Sequence, residues 1–150
     1  MAATTVKLAQ IYFIRGTNVQ ETFTEQIFKL DAPYANKFQG KYARYLFVCS
    51  AGILRSATAA TVASKMDINA RSCGSKEYAL IPLSANLIMW AEGIYFMNIE
   101  NYYDALDTFG EDDKLYNKLV DRTRTHVWEF KDEYEYMQPE LVTEITKLLY

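Results

Sequence analysis

Short apolar runs alternate four times with segments of helical spacing between residues 45 and 149, and this alternation limits the folds open to the chain. The first run, residues 45–49, is aromatic and β-branched and ends at a turn of small residues, as a strand buried on both faces does. Further strands are predicted at residues 68–73, 93–97 and 126–130. Strands that alternate with helices favour a parallel sheet covered by helices, with ligands bound at the carboxyl ends of the strands.

Four helices are predicted to follow these strands. The first, over residues 55–66, carries small apolar residues at helical spacing, which allows it to lie close to a sheet. The others cover residues 84–91, a segment that begins at residue 99, and the chain from Pro139, a residue that suits the first helical turn. Residues 110–113 are predicted to form a loop, and residues 131–137 an acidic and aromatic one.

Residues 1–43 are patterned less clearly and are predicted to be an N-terminal extension of a single domain that covers residues 44–150. Residues 6–14 have the composition of an additional strand or helix, and residues 22–25 fit a helix-capping box. Three roles stay open for the extension: an added edge element, a cover over the mouth of the site, and self-association into a homo-oligomer.

Composition excludes several classes of function. Sixteen Lys and Arg against nineteen Asp and Glu give a formal net charge of −3 without a basic run, so nucleic acid is not an expected partner. Neither a membrane span nor a signal peptide is recognisable, and we expect a cytoplasmic protein. Two cysteines and the single histidine, His126, do not provide a metal cluster, and any nucleophile paired with histidine must use His126.

The chemistry is predicted to lie in the loop from Cys49 to Ser56. Five residues separate Cys49 from Arg55: Ser50, Ala51, Gly52, Ile53 and Leu54. A loop of this length, followed by a helix, closes into a cradle of inward N–H groups that suits a tetrahedral dianion and favours a thiolate. We expect Arg55 to hold two phosphate oxygens and Ser56 to hydrogen-bond the sulfur. The spacing alone also fits a buried structural cysteine; the flanking strand, turn and helix favour the cradle.

With these residues in place, the chain resembles the low-molecular-weight protein tyrosine phosphatases, nearest the short predicted phosphatases of bacteria and phages. The resemblance spans residues 45–149 and rests on residues 46–50 with Arg55 and Ser56, and on residues 71–75, 90–97 and 132–142. It implies an α/β three-layer sandwich with a central four-stranded parallel sheet of order 2-1-3-4. It also implies phosphoryl transfer through a cysteinyl-phosphate, with no metal or cofactor.

The resemblance assigns roles in the loop after the fourth strand as well. The general acid falls on Asp132, and Glu133 and Glu135 compete for the role because they lie in the same loop. Tyr134 and Tyr136 are predicted at the substrate rim, although packing in the core is an equal alternative.

Four positions depart from the family pattern. Gly52 replaces an asparagine that braces the loop, and Leu54 replaces the second cysteine of many relatives, so no disulfide forms within the loop. Asn98 stands where relatives have an acidic residue, and Gln138 where an aspartate caps the last helix. Ser72 matches a serine that supports the loop from the end of the second strand.

The predicted function is that of a cysteine-dependent phosphomonoester hydrolase, a protein tyrosine phosphatase whose partners are phosphotyrosine proteins or small aryl phosphates. Two alternatives stay open. One is a phosphate- or phosphopeptide-binding module that lost turnover through the changes at Gly52, Asn98 and Gln138. The other is arsenate reduction, which requires relay thiols and finds only Cys73 to supply one.

Overall fold

The computed structural model describes residues 42–150, which form four strands and five helices. The predictions for residues 6–14 and 22–25, and for the role of the extension, lie outside the described residues. The elements in chain order are β1 (Arg44–Cys49), α1 (Arg55–Ser64), β2 (Asn69–Gly74), α2 (Ala85–Trp90), β3 (Gly93–Phe96), α3 (Ile99–Phe109), α4 (Asp113–Val120), β4 (Thr125–Val127) and α5 (Pro139–Leu149).

The four strands form one parallel sheet in the order β2-β1-β3-β4, which confirms the predicted architecture. β1 pairs with β2 along its whole length, from Arg44 opposite Asn69 to Cys49 opposite Gly74. On its other side β1 pairs with β3. The loop after β1 therefore starts between two neighbouring strands, at the edge where parallel strands place their ligand sites.

Small residues on α1 explain how two helices cover one face of the sheet. Ala59 and Ala63 of α1 are fully buried, and so are Leu141 and Ile145 of α5, in one core cluster with Cys49. Because alanine adds little thickness, α1 approaches the sheet closely and packs beside α5. Alternate residues of the strands point to the opposite face, where α2, α3 and α4 pack.

The polar segment after α3 contains a helix that the sequence pattern did not predict. A loop was expected over residues 110–113, but α4 begins at Asp113. The carboxylate of Asp112 caps this helix, since it accepts hydrogen bonds from the N–H groups of Lys114 and Leu115 at 3.0 and 3.1 Å. Only two residues of α4, Leu115 and Leu119, are buried, which is too sparse a pattern to reveal a helix.

β4 is shorter than predicted, because the regular ladder ends at Val127 instead of residue 130. The chain nevertheless continues along β3: the N–H of Trp128 donates to the carbonyl of Phe96, and that of Phe130 donates to the carbonyl of Met97, both at 2.7 Å. This irregular continuation carries the chain to the carboxyl edge of the sheet. No helix within residues 42–150 is long and apolar enough to cross a membrane.

Candidate active site

The loop between β1 and α1 is held open by the segment that follows β2. The carbonyl oxygens of its first three residues accept hydrogen bonds from that segment: Ser75 N–H to Cys49 at 2.8 Å, Lys76 N–H to Ser50 at 3.2 Å and Leu80 N–H to Ala51 at 3.3 Å. In a planar trans peptide the next N–H points opposite to the carbonyl. The N–H groups of residues 50–52 therefore turn to the other side of the loop, and that of Gly52 donates to Cys49 Sγ at 3.2 Å.

Gly52 is required by its conformation and by its surroundings. Its φ of +79° lies in the left-handed region. A Cβ at this position would come within 2.7 Å of the carbonyl carbon of Cys73 and 2.8 Å of the nitrogen of Gly74. A Cβ at Gly74 would in turn collide with the carbonyl oxygen of Ser50. The asparagine of the family pattern would meet backbone atoms here, so Gly52 matches the way this loop packs on β2.

Cys49 lies at the bottom of the cradle, 2% exposed, with its sulfur 3.0 Å from Ser56 Oγ. Ser56 Oγ is also 3.3 Å from the carbonyl oxygen of Cys73, to which it can donate. Ser56 has a single proton, so it serves either that carbonyl or the sulfur. When Cys49 is a thiol, it can donate to Ser56; when it is a thiolate, the Ser56 proton turns to the sulfur.

Arg55 is buried, and two of its three guanidinium nitrogens have acceptors within residues 42–150. Nη1 donates to the carbonyl of Phe130 at 2.8 Å, and Nη2 lies 3.3 Å from Ser50 Oγ. Nε is buried and has no hydrogen-bond partner among the described residues. A buried donor without an acceptor costs about 1–3 kcal/mol. An oxyanion in the cradle would supply that acceptor.

Asp132 is the acidic candidate that contacts the cradle. Its Oδ1 lies 3.4 Å from Arg55 Nη2, and its side chain is 69% exposed. Glu133 and Glu135 make no ion pair with Arg55 in this part of the chain. Because the Asp132 carboxylate is mostly exposed and 3.4 Å from the guanidinium, the pair is weak, and Asp132 can exchange Arg55 for another partner. The structure thus brings Cys49, Arg55 and Asp132 together.

The loop that carries Asp132 is tied down at both ends. At its start, the carbonyl of Phe130 accepts the hydrogen bond from Arg55 described above. At its end, the N–H of Met137 donates to Thr58 Oγ1 on α1 at 2.8 Å, and Gln138 Oε1 accepts from the N–H of Glu135 at 3.0 Å. Gln138 gives α5 no side-chain cap, as the family comparison predicts.

Of the other residues predicted to bind substrate, some are exposed on the loop and some contact neighbouring parts of the domain. Ile53 and Leu54 are 47% and 36% exposed. Tyr134 packs edge-to-face on Phe130, with ring centroids 6.2 Å apart, and Tyr136 hydrogen-bonds Thr61 on α1 at 3.1 Å. The contacts of both tyrosines are scaffold contacts, and the rim role predicted for them stays a prediction.

Ser72 does not make the supporting contact that was predicted for it. It lies opposite Phe47 in the β1–β2 pair, and no hydrogen bond from it to the loop is present within residues 42–150. Ser75 contacts the loop instead, since its backbone N–H donates to the Cys49 carbonyl, and its hydroxyl is linked to Ser50 through Asn101. Asn98 likewise has a structural role, since it caps α3 by accepting from the N–H of Glu100 at 3.1 Å.

A set of partly buried polar side chains behind the loop, linked by hydrogen bonds, was not predicted from the sequence. Asn101 Nδ2, from α3, donates to Ser50 Oγ and to Ser75 Oγ, each at 3.1 Å. Ser75 Oγ donates to Asp104 Oδ2 at 2.7 Å. The available signal was the spacing of Asn101 and Asp104, which places two polar residues on one face of a helix. Lys76 pairs with Asp104 at 3.0 Å.

The two free cysteines differ in environment. Cys73 pairs with Val48, so its side chain points to the opposite face of the sheet from that of Cys49. It is fully buried, and burial together with the nearby Cys49 raises the pKa of its thiol. This arrangement does not favour a thiol relay between them. No group of three or more potential metal ligands is found within the described residues.

Two solved structures resemble the domain. The YwlE arginine phosphatase from Geobacillus stearothermophilus aligns over 71% of this chain and 85% of its own, with 16% identity and a TM-score of 0.50. A YwlE mutant from Bacillus subtilis aligns over 71% and 93%, with 15% identity and a TM-score of 0.47. No protein-family model and no curated protein matches the sequence. The first likeness shows that the domain shares the fold of that arginine phosphatase.

Proposed function

We propose that this chain is a cysteine-dependent phosphomonoester hydrolase. The proposal is carried by one observation: the buried Arg55, whose Nε has no acceptor among the described residues, closes the loop that holds Cys49. A buried guanidinium beside inward amide groups suits an anion of fixed shape. A phosphoryl dianion provides that shape, and the sulfur at the bottom of the same loop is the nucleophile.

In the first step, Cys49 Sγ attacks phosphorus, and the bond from phosphorus to the leaving oxygen breaks. The amides of the loop and Arg55 stabilise the charge on the equatorial oxygens. Asp132, whose carboxyl lies 3.4 Å from Arg55, donates a proton to the leaving oxygen.

In the second step, water attacks the phosphorus of the cysteinyl-phosphate. Asp132 accepts a proton from that water, the S–P bond breaks, and inorganic phosphate leaves. Ser56 assists because its proton turns from the Cys73 carbonyl to the departing thiolate, 3.0 Å away.

The substrate class we propose is an aryl phosphate, phosphotyrosine in a protein or peptide. Ile53 and Leu54 support this choice, since both are exposed apolar side chains of the loop itself and offer a surface for an aromatic ring. Phosphoarginine, the substrate class in the name of the YwlE structure, is the alternative against which this choice is tested.

The test compares hydrolysis of an aryl phosphate and of phosphoarginine by the wild type and by Cys49→Ser. We expect turnover of the aryl phosphate and its loss in Cys49→Ser. Cys73→Ala is the matched control, because it removes the other thiol and leaves the cradle intact. Equal turnover in Cys49→Ser would contradict the mechanism, and preferred turnover of phosphoarginine would contradict the substrate class. Phosphate binding without turnover in the wild type would support the binding module instead.

A further inference from the structure

The hydrogen bonds that link Asp104, Ser75, Asn101 and Ser50 can be oriented in one direction only. The reason is that Asp104, the residue farthest from the loop in this series, can only accept. The carboxylate of Asp104, which also pairs with Lys76 at 3.0 Å, has no proton to give. Ser75 must therefore donate its single hydroxyl proton to Asp104, 2.7 Å away. With that proton engaged, the Ser75 oxygen can only accept from Asn101, at 3.1 Å.

This direction determines the orientation of the Asn101 amide. The group that faces Ser75 must be the NH₂ group, since an amide oxygen there would meet a hydroxyl whose proton is already used. The second proton of the same NH₂ group points to Ser50 Oγ, at 3.1 Å. Asn101 is fully buried, so its amide is held in place by the protein interior.

Ser50 receives a second hydrogen bond, from Arg55 Nη2 at 3.3 Å. A hydroxyl oxygen accepts two hydrogen bonds and donates one. Both acceptor positions of Ser50 are thus occupied, and its proton has no acceptor among the described residues. The hydroxyl lies beside the guanidinium that is to hold the anion, which gives the proton an acceptor when phosphate is bound.

We propose that the Ser50 hydroxyl donates a hydrogen bond to the phosphoryl group, and that Asp104 is the positioning residue that orients this hydroxyl through Ser75 and Asn101. The inference rests on the proposed function and adds a side-chain donor to the amides of the cradle. It also explains how the loop is braced although Gly52 has no side chain: the bracing comes from α3.

The test measures how inorganic phosphate protects Cys49 from alkylation by iodoacetamide, in a double-mutant cycle. We expect Ser50→Ala to raise the half-protecting phosphate concentration about tenfold, the cost of one charge-assisted hydrogen bond. Asp104→Ala should raise it by a similar factor, and the double variant by no more than Ser50→Ala alone. Asp104→Asn, which keeps an acceptor oxygen, should restore most of the affinity.

Glu100→Ala is the control, because Glu100 pairs with the same lysine, Lys76, at 2.9 Å but does not contact Ser75. It should leave phosphate protection unchanged. If Asp104→Ala does not fold, Ser75→Ala breaks the same chain one link closer to the loop, with the same expected result. Two results would overturn the inference. One is a loss of phosphate affinity in the double variant that equals the sum of the two single losses, and the other is wild-type affinity in Ser50→Ala. The cycle needs no turnover, so an inactive protein that binds phosphate would overturn the proposed function alone.

Discussion

The two ends of β1 each have an arginine nearby, and the two arginines are in opposite situations. Arg44, at the amino edge of the sheet, is 37% exposed in its side chain and paired with Glu92 at 3.3 Å and with the Trp90 carbonyl at 2.7 Å. Arg55, at the carboxyl edge, is 3% exposed and keeps one donor without a partner among the described residues. Both arginines thus have a carboxylate and a carbonyl as partners, but Arg55 also keeps a buried donor that a ligand can use.

The difference teaches where to look for function in such a sheet. At the amino edge, charged side chains meet in solvent, where an ion pair contributes about 0–1 kcal/mol. At the carboxyl edge, Arg55 and Asn101 are buried and both are hydrogen-bonded to Ser50, so each group depends on its neighbour's orientation. Three changes test this contrast.

The largest expected effect is on activity, from Arg55→Lys. Lysine keeps the charge but not the planar fork, so we expect kcat/KM for an aryl phosphate to fall by about 10²–10³-fold. Arg44→Lys, the matched change at the other edge, should leave kcat/KM within about twofold. Steady-state kinetics of both variants measures the contrast, and similar losses in the two would contradict it.

The second effect is on stability, from Gly52→Ala. A positive φ and two backbone contacts under 3.0 Å make a Cβ costly here, and we expect a loss of about 2 kcal/mol or more. Gly93→Ala is the control at the amino edge, because its Cβ would meet only aromatic ring atoms of Tyr45 and Tyr95 at 3.1–3.2 Å. Urea denaturation gives both values, and the contrast fails if Gly93→Ala is the more damaging.

The smallest effect concerns Cys73, a buried group at the carboxyl edge that takes no part in the proposed chemistry. Burial raises the pKa of Cys73. As the pH rises, the thiol therefore ionises first in the unfolded chain, while in the folded protein it stays protonated. Its contribution to stability is thus present below about pH 8.5 and is lost as the pH rises, by at most about 1.4 kcal/mol per pH unit. Cys73→Ala should flatten that slope in denaturation curves above pH 8.5. An unchanged slope would show that other groups cause it.

The local pattern of apolar residues was sufficient to predict the strand, loop and helix that contain the site. Residues 45–49 and 55–66 follow one another along the chain with a short loop between them. Their apolar spacing predicts the strand, loop and helix that the structure contains. The pattern did not predict α4. This helix has an N-terminal cap and only two buried leucines, so its sequence shows no periodic apolar face. The pattern also overestimated β4, because the chain after Val127 keeps hydrogen bonds to β3 without regular strand geometry.

By itself, the sequence determined that a cysteine and an arginine share one short loop at the end of a buried strand, since both the spacing and the flanking periodicities are local properties. Tertiary structure alone decided which distant groups reach that loop: Asp132 from the chain beyond β4, and Asn101 from α3, with Asp104 behind it through Ser75. The physical reason is that a hydrogen bond depends on distance and direction in space. Ser50 and Asn101 are 51 positions apart, and they meet only after the sheet has brought the carboxyl ends of its strands together.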